Sequence, residues 1–453
     1  MGNDGQLTTI SSINGIEWPA LPGPAGAAAL AVQYQFEQSQ WWPQETMLQH
    51  QFRQLNKLLR HACETVPYYR EVFGSAGFDP QCALTPKSFS RLPLLQRSDI
   101  QSYGERLFSR QMPSGHGKTV EVRTSGSSGA PIRTLGTDIT QFFWRAFTLR
   151  DHLWHKRDLS AKLAAIRNDV PDGVAQGWGP STDVVFNTGP CAMLHIKADI
   201  DMQIEWLKKQ NPEYLISFPS NIYALAKQCM AGSVSIPNLR EVRTFGEALN
   251  ADLRSLCKQA WGVKLTDIYS SQEAGYIALE CPEYGHYHVQ SEGVIVEILN
   301  EEGRQCSPGE TGRVVITTLH NFAAPLIRYE ILDYAEVGGP CPCGRGLPVL
   351  KSIMGRERNM LTLPDGKRFW PSFPAPKWDH IAPIRQIQLV QREPDLIIVR
   401  LVSDRHLDKN EETKFTKVLH GLFGYPFRLV FEYHEKIRHK SNYKYEDFIS
   451  ELS

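Results

Sequence analysis

The pattern of apolar and polar positions first becomes regular after Pro43. From there to Pro67, apolar side chains recur at the spacing that forms one face of an α-helix. They are Leu48, Phe52, Leu55, Leu59 and Ala62. Because proline cannot continue a helix from its interior, Pro67 marks the end of this element. Residues 1–40 are rich in glycine, alanine, proline and glutamine and show little periodicity, so we expect a loosely attached extension there.

Short apolar runs alternate with helical patterns from about residue 120 to about residue 270. An extended run at 214–218 is followed by a turn at Pro219–Ser220 and a helix through Leu225. A second run at 242–245 precedes a helix at 251–261. This alternation of strands and helices predicts an α/β fold.

Strands joined by tight turns dominate from Val289 onward. Strands at 294–299 and 312–318, with a turn at Glu302–Gly303, indicate a β-rich subdomain at about 285–355. Beyond it we expect a hairpin at 361–369 and then a strand, strand, helix, strand order at 384–390, 396–402, 410–422 and 427–431. The predicted division is an extension at 1–40, a large N-terminal domain at 41–355 and a small α+β C-terminal domain at 356–453.

Composition excludes several classes of partner. The 453 residues carry 49 lysines and arginines against 49 aspartates and glutamates, whereas nucleic acids and anionic membranes attract proteins with a basic excess. No apolar run approaches the length of a membrane span, and the first thirty residues hold Asp4 and Glu17 but no basic side chain, unlike a secretory signal. The odd count of 9 cysteines fits a reducing cytoplasm, so we expect a cytoplasmic protein with neither nucleic-acid nor membrane partners.

The segment from Thr124 to Gly129 carries the first chemical signal. Its residues are small or hydroxyl-bearing, and their N–H and O–H groups can surround phosphate oxygens. No Gly-Lys-Ser/Thr follows, so it is not a Walker loop. Taken alone, the segment is equally compatible with an ordinary flexible turn.

Further motifs follow in a fixed order along the chain. They are Thr124–Gly129, Gly246-Glu247, the Tyr269-Ser270-Ser271-Gln272-Glu273 segment, Arg328-Tyr329 with Asp333, and Gly355-Arg356. This series resembles the adenylate-forming enzymes, and Val66-Pro67-Tyr68-Tyr69-Arg70 with Leu92-Pro93-Leu94 resembles landmarks of their phenylacetate–CoA ligase branch. The resemblance runs from about residue 45 to the C-terminus. It implies an α/β N-terminal domain that binds ATP and the acid, and a mobile C-terminal domain that rotates between half-reactions.

The resemblance also implies roles for individual residues. Glu273 would hold Mg²⁺, a hard cation that prefers carboxylate oxygens, and Lys444 would approach the acid and the α-phosphate. Tyr269 would stack on adenine and Asp333 would accept hydrogen bonds from the ribose. The predicted ATP and AMP contacts are Thr124, Ser125, Gly126, Ser127, Ser128, Gly129, Gly246, Glu247, Tyr269, Ser270, Ser271, Asp333 and Arg356.

The chain departs from the family pattern at four places. Ala130 stands where lysine is common, which leaves one phosphate contact missing or supplied by Arg133. Leu332 replaces the glycine before Asp333, and Tyr443 replaces the glycine before Lys444. Arg358-Asn359 replaces acidic residues at the hinge. A surface lysine on the tail is the alternative interpretation of Lys444.

Specificity for the acid comes, by the same resemblance, from a pocket between the phosphate loop and the tyrosine–glutamate motif. The predicted lining is Phe143, Trp144, Thr188, Gly189, Pro219 and Phe245. Several of these are aromatic, which suits a flat aryl acid. Aromatic residues at such spacing also serve as plain core, and that alternative stays open.

A second cluster combines three cysteines with a histidine. Cys341 and Cys343 form a tight pair, and Cys281 with His288 lies about sixty residues earlier, which together match a tetrahedral zinc site. His286 is the alternative histidine ligand. Some members of the resembled branch carry zinc in this region, and a site with four protein ligands would be structural. Reduced cysteines packed in a β-subdomain are the alternative.

The leading functional hypothesis is ATP-dependent activation of a carboxylic acid as an acyl-adenylate, followed by acyl transfer to coenzyme A. The expected small molecules are therefore ATP, Mg²⁺, Zn²⁺, a carboxylic acid and coenzyme A. One alternative transfers the acyl group to an amine or to a carrier-protein thiol. Another is a catalytically silent, zinc-stabilised binding protein, and a homodimer is compatible with all of them.

Overall fold

The computed structural model describes residues 9–123, 131–250, 252–371, 381–437 and 446–452. The described residues hold ten α-helices. Their bounds are α1 Pro24–Ser39, α2 Gln44–Thr65, α3 Pro67–Ser75, α4 Pro86–Phe89, α5 Arg97–Tyr103, α6 Asp138–Trp154, α7 Ile200–Gln210, α8 Pro219–Ala231, α9 Leu253–Trp261 and α10 Lys409–Phe423.

Strands fall into a large set and three small ones. The large sheet holds β3 Leu163–Arg167, β4 Gly173–Ala175, β5 Cys191–His195, β6 Tyr214–Ser217, β7 Glu241–Phe245, β8 Lys264–Ser271, β9 Gly275–Glu280, β10 Tyr287–Val289, β11 Val294–Leu299, β12 Thr311–Thr318, β13 Tyr329–Val337 and β14 Val349–Arg356. Outside it lie the hairpins β1 Thr119–Arg123 with β2 Arg133–Thr137 and β15 Leu361–Thr362 with β16 Arg368–Phe369, and a sheet of β17 Ile384–Glu393, β18 Leu396–Ser403, β19 Arg428–Tyr433 and β20 Phe448–Ser450.

The large sheet has a parallel half and an antiparallel half. Its order is β11-β12-β13-β14-β10-β9-β8-β7-β6-β3-β5-β4. Neighbouring strands from β8 through β7, β6 and β3 to β5 run parallel, and helices α7, α8 and α9 pack on this half around Leu215 and Val242. Strands β8 to β14 pair antiparallel and contain the β-rich stretch expected at 285–355. The predicted α/β class is confirmed.

Local sequence signals account for the element ends. Helix α2 buries Leu55, Leu59 and Ala62, and α3 begins at Pro67 after an extended Val66. Helix α10 begins with a capping box between Asp408 and Glu411 and ends at Gly424 in the left-handed conformation. These signals act within a few residues, which is why the predicted helices agree closely with those observed.

The expectation of a loosely attached N-terminal extension is wrong for residues 24–39. These residues form α1, which packs against α6: the Gln33 Nε2 donates to the Ala146 carbonyl at 2.7 Å, and the Phe36 ring stacks on Phe147 with centroids 4.8 Å apart. The Arg150 guanidinium also donates to the Phe36 carbonyl. Local composition does not predict this helix, because the contacts that stabilise it come from residues more than a hundred positions away.

The C-terminal residues form their own small layer of sheet and helix. Helix α10 covers the four-stranded sheet β19-β18-β17-β20 through buried Phe415 and Leu419. The segment after Arg356 is tied to the last strand, since Asn359 donates to the Phe448 carbonyl at 2.7 Å and Arg358 pairs with Glu446. The division at residue 356 remains a prediction. Among the helices of the described residues, none is both long and apolar enough to cross a membrane.

Candidate active site

Three of the predicted nucleotide contacts meet at the middle of the large sheet. Asp333 on β13 and Arg356 on β14 are register partners, and Tyr269 lies on β8. The Tyr269 hydroxyl donates to Asp333 Oδ2 at 2.9 Å, and the Arg356 Nε lies 3.6 Å from Asp333 Oδ1. The structure therefore brings together an aromatic ring, a carboxylate and a guanidinium from distant parts of the chain.

The backbone beside Asp333 is strained. Leu332 has a φ of 69°, a left-handed conformation that costs a residue with a Cβ atom about 1 kcal/mol or more. The resembled family has glycine at this position, and the chain keeps the positive φ without the glycine. Gly355, which precedes Arg356, also has a positive φ of 90°. Glycine adopts this conformation without strain because it has no Cβ atom.

Glu273 lies in the turn between β8 and β9. The turn is fixed by the Ser271 hydroxyl, which accepts from the Ala274 N–H at 3.1 Å, and Ser270 continues the β8–β9 ladder opposite Tyr276. Burial raises the pKa of Glu273, and the nearby Asp333 carboxylate raises it further. A buried carboxylate of this kind gains from a hard divalent cation at its oxygens, so the residue fits a magnesium ligand.

A cavity opens next to Glu273. Its walls include Phe143 and Trp144 from α6 and Tyr276 from β9. The Trp144 and Tyr276 rings meet edge to face at 5.3 Å, and Gly275 brings the β9 backbone close to the Trp144 ring. Phe143 and Trp144, predicted for the acid pocket, thus share one cavity with Glu273.

Other predicted pocket residues lie elsewhere. Thr188 donates to Asp183 Oδ1 at 2.6 Å, and Gly189 packs so tightly that a Cβ would lie 2.3 Å from the Ala161 and Ser160 carbonyl oxygens. Neither of the two lines the cavity beside Glu273. Residue type alone does not separate the two cases, because small and hydroxyl residues occur both in ligand pockets and in tight turns.

The residues at the ends of β6 and β7 form a separate group. Pro219 starts α8 and is buried. The Phe245 and Phe218 ring centroids are 4.7 Å apart. The Arg167 guanidinium lies over the Phe245 ring, with its Cζ 4.9 Å from the centroid. Gly246 turns the chain with a φ of 79°, and the Glu247 carboxylate accepts from the N–H and hydroxyl of Ser220 at 2.9 and 3.1 Å. Glu247 is therefore engaged at the start of α8.

Some sequence predictions fall outside the described residues. These are the phosphate-loop residues Thr124, Ser125, Gly126, Ser127, Ser128 and Gly129, the neighbouring Ala130, and Lys444 with Tyr443. Arg133, the substitute phosphate contact, is described and pairs with Glu121 at 2.6 Å and with Glu105 at 3.1 Å. Its guanidinium is thus already held by two carboxylates.

The Cys/His cluster assembles at the opposite end of β9 and β14. The ligand atoms of Cys281, His288, Cys341 and Cys343 all lie within 4.8 Å of one another. The Sγ atoms of Cys281 and Cys341 are 3.9 Å apart, and the Cys343 Sγ lies 3.4 Å from the His288 Nε2. Two sulfurs bound tetrahedrally to zinc at 2.3 Å would be about 3.8 Å apart, so the spacing fits. His288, not His286, joins the cluster.

Protonation states in the cluster also suit a cation. Burial lowers the pKa of His288 to about 3, which leaves the imidazole neutral and able to ligate. Burial raises the pKa of Cys281 and raises that of Cys341 to about 12. A bound cation would stabilise the thiolate form of both cysteines at neutral pH.

Sequence comparisons find curated relatives of the chain. No protein-family model matches the chain. The chain is 26% identical over 337 residues to a phenylacetate–coenzyme A ligase of Thermus thermophilus, covering 71% of this chain and 73% of that protein. It is 25% identical over 362 residues to the phenylacetate–coenzyme A ligase of Escherichia coli, covering 76% and 79%.

Solved structures share the fold. A 2-hydroxyisobutyryl-CoA ligase in complex with R3-HIB-AMP superposes with a TM-score of 0.71 at 17% identity, covering 92% of each chain. An anthranilate CoA ligase in complex with anthranoyl-AMP superposes with a TM-score of 0.52 at 15% identity, covering 72% of this chain and 65% of that one. The chain is thus similar in sequence to phenylacetate–coenzyme A ligases and shares the fold of solved acid–CoA ligases.

Proposed function

We propose that the protein is an AMP-forming acid–CoA ligase. It joins a carboxylic acid to ATP as an acyl-adenylate and then transfers the acyl group to coenzyme A. The observation that carries this proposal is the convergence of Tyr269, Glu273, Asp333 and Arg356 beside a cavity lined by aromatic rings. The relatives named phenylacetate–coenzyme A ligase and the solved ligases with bound acyl-adenylates support the same chemistry.

In the first step, a carboxylate oxygen of the acid bonds to the α-phosphorus of ATP, and pyrophosphate leaves with the bonding electrons. Asp333 accepts hydrogen bonds from the ribose hydroxyls while Tyr269 and Arg356 hold its carboxylate in place. Glu273 would hold Mg²⁺, and this ion would supply positive charge to the phosphate oxygens. Lys444 is proposed to approach the same oxygens from the C-terminal segment.

In the second step, the thiolate sulfur of coenzyme A bonds to the acyl carbon, and AMP leaves. Phe143, Trp144 and Tyr276 form the aromatic walls beside Glu273, and we assign them to the side chain of the acid. Flat walls of this kind favour an aryl acid over a branched aliphatic one. Positioning the acyl carbon against these walls reduces the entropic cost of the transfer.

We also propose one structural zinc ion held by Cys281, His288, Cys341 and Cys343. The four donors all come from the protein, which leaves no open position for a substrate. The ion would join the loop after β9 to the loop before β14 and thereby hold the antiparallel half of the sheet together. All 9 cysteines are free thiols, which supports a cytoplasmic location.

Product analysis tests the proposed function. Purified protein is incubated with ATP, Mg²⁺ and a panel of aryl, heteroaryl and aliphatic acids, with coenzyme A in one arm and simple amines in the other. We expect AMP and an acyl-CoA thioester, identified by mass spectrometry, in the first arm. If an amide forms in the second arm and no thioester forms in the first, the protein is an amide synthetase and not an acid–CoA ligase. AMP formation in neither arm would contradict both.

A further inference from the structure

The cavity beside Glu273 is bounded by one histidine that the sequence motifs did not single out. His320 follows β12 and contributes to the cavity wall together with Phe143. Its imidazole stacks on the Phe143 ring with centroids 3.8 Å apart and planes within 5°. This contact fixes the plane of the imidazole, so its two nitrogens point along the wall and not into the Phe143 face.

His320 also borders a second space. A second cavity, lined by Lys57, His116 and Phe322, reaches His320 but does not reach Glu273. His320 is therefore at the junction between the two spaces. An aryl acid that packs against Phe143 in the cavity beside Glu273 would lie next to His320.

Three other polar side chains of this wall already form hydrogen bonds within the protein. Thr140 bonds to the backbone of Thr137 at 2.8 Å, and Asn321 donates to the Leu135 carbonyl at 2.9 Å. The Thr318 hydroxyl accepts from the Leu326 N–H. By contrast, no hydrogen bond joins the His320 imidazole to another residue in the part of the chain that the structure describes.

The imidazole of His320 is neutral at physiological pH. Burial, together with a smaller contribution from the neighbouring His116, lowers the pKa of His320 to about 4. A neutral imidazole has one N–H donor and one acceptor nitrogen. A ligand that displaces water from the imidazole leaves a nitrogen unpaired unless it supplies a hydrogen bond, so a ligand with such a group binds better than one without it.

We propose that His320 selects aryl acids that carry a hydroxyl or amino substituent, with which the imidazole forms a hydrogen bond at the wall of the cavity. The inference rests on the proposed function, because it names the substrate class of that same site. Hydroxyl and amino groups both donate a hydrogen bond, and a neutral imidazole has one acceptor nitrogen in either tautomer. A methyl group of similar size fills the space without forming the bond.

Acid-dependent ATP–pyrophosphate exchange provides the test. The substrates are benzoic and phenylacetic acids that bear a hydroxyl, amino or methyl group at each ring position. For the wild type, we expect kcat/KM at one ring position to be about tenfold higher with hydroxyl or amino than with methyl. His320→Phe keeps the stacked ring and removes both nitrogens. We expect the ratio of kcat/KM for the hydroxyl or amino acid to kcat/KM for the methyl acid to fall to about one in this variant.

Two further variants separate recognition from structure. His320→Asn restores a donor and an acceptor, and we expect part of the preference to return. His406→Phe is the matched control, since His406 stacks on Tyr433 at 4.0 Å in the C-terminal layer, and we expect the preference to be unchanged. A wild type that uses these acids without favouring hydroxyl or amino groups, or a preference that persists in His320→Phe, would overturn the inference. If none of the tested acids supports exchange, that result would instead contradict the proposed function.

Discussion

The carboxylate cluster, formed by Glu273 and Asp333, and the Cys/His cluster lie at opposite ends of strand β9 and of strand β14. Strand β9 begins at Gly275, beside Glu273, and ends at Glu280, beside Cys281, whereas β14 begins after Cys343 and ends at Arg356, the register partner of Asp333. Buried Val349 at the start of β14 packs against Cys281 and Cys341. Each of these two strands therefore has a residue of the carboxylate cluster or its partner near one end and a residue of the Cys/His cluster near the other.

The two ends differ in how completely the protein satisfies its own groups. At the Cys/His end, four donor atoms lie close enough to complete a coordination shell without a substrate. At the carboxylate end, Asp333 has protein partners but Glu273 faces a cavity. We infer that the closed end stabilises the sheet and the open end performs the chemistry. The predictions below test this division from the largest expected effect to the smallest.

Removing a ligand at the closed end should give the largest effect. In Cys341→Ser, we expect zinc to fall from about one ion per chain to a small fraction of that, and the free energy of unfolding to drop by several kcal/mol. Metal analysis and denaturant unfolding measure the two quantities. Cys82→Ser replaces an exposed thiol and serves as the control. Folded wild-type protein that contains no zinc would contradict the proposed site.

Removing the charge at the open end should abolish activity without unfolding the protein. In Glu273→Gln, we expect ATP–pyrophosphate exchange to fall by about 10²–10³-fold, because the magnesium ligand is lost. The melting temperature should stay the same or rise, since burial already disfavours the Glu273 carboxylate. Zinc content should not change. Glu301→Gln, in an exposed turn, is the matched control, and equal exchange rates in the two variants would exclude Glu273 from the reaction.

Asp267 lies on β8 beside Glu280, the last residue of β9, and reports on the buried interior of the sheet. Its carboxylate accepts from Thr244 Oγ1 at 2.6 Å and from the Tyr287 hydroxyl at 2.7 Å, and burial raises the pKa of Asp267 to about 6. In the unfolded chain an aspartate has a pKa of about 3.9. The folded protein therefore keeps this proton as the pH rises from about 4 to about 6 while the unfolded chain releases it, which lowers the free energy of unfolding.

The expected size of this effect is up to about 3 kcal/mol across that pH range. Asp267→Asn cannot titrate at this position, so the gap between the wild-type and variant unfolding curves should change by that amount between pH values of about 4 and about 6. Denaturant unfolding at several pH values measures the gap. A gap that stays constant over this range would show that Asp267 is ionised in the folded protein.

The smallest prediction concerns backbone strain, which also distinguishes the two ends. The turn after Cys343 uses Gly344 at a φ of 86°, whereas Leu332 takes a φ of 69° beside Asp333. We expect Leu332→Gly to raise the free energy of unfolding by about 0.5–1 kcal/mol, because the relief of strain exceeds the added entropy of the unfolded chain. Leu84→Gly, at a position without positive φ, should lower it. A loss of stability in both variants would exclude strain at Leu332.

Elements that depend on local signals could be predicted from the sequence. The helix expected at 410–422 is observed as α10 because Asp408 and Gly424 define its ends within the neighbouring residues. The Cys/His cluster was predictable for a different reason: the close Cys341–Cys343 pair combines with the zinc sites that some members of the resembled branch carry in this region. Cys281 and Cys341 approach each other because β9 and β14 both pair with β10.

Features that depend on long-range packing could not be predicted. Helix α1 forms because Phe36 contacts Phe147, and nothing in the local composition indicates that contact. Thr188 and Gly189 carry residue types suited to a pocket but bind backbone and Asp183. His320 belongs to no motif, and its position on Phe143 becomes visible only when α6 and the end of β12 are packed together.

Equilibrium ATP–pyrophosphate exchange tests the central claim most directly, namely that Tyr269, Glu273 and Asp333 bind one nucleotide beside the acid cavity. We expect folded, zinc-loaded wild-type protein to incorporate labelled pyrophosphate into ATP when both Mg²⁺ and a suitable acid are present, and to stop when either is omitted. Labelled ATP that fails to form with every acid of a broad panel, in protein that is fully folded, would contradict the claim.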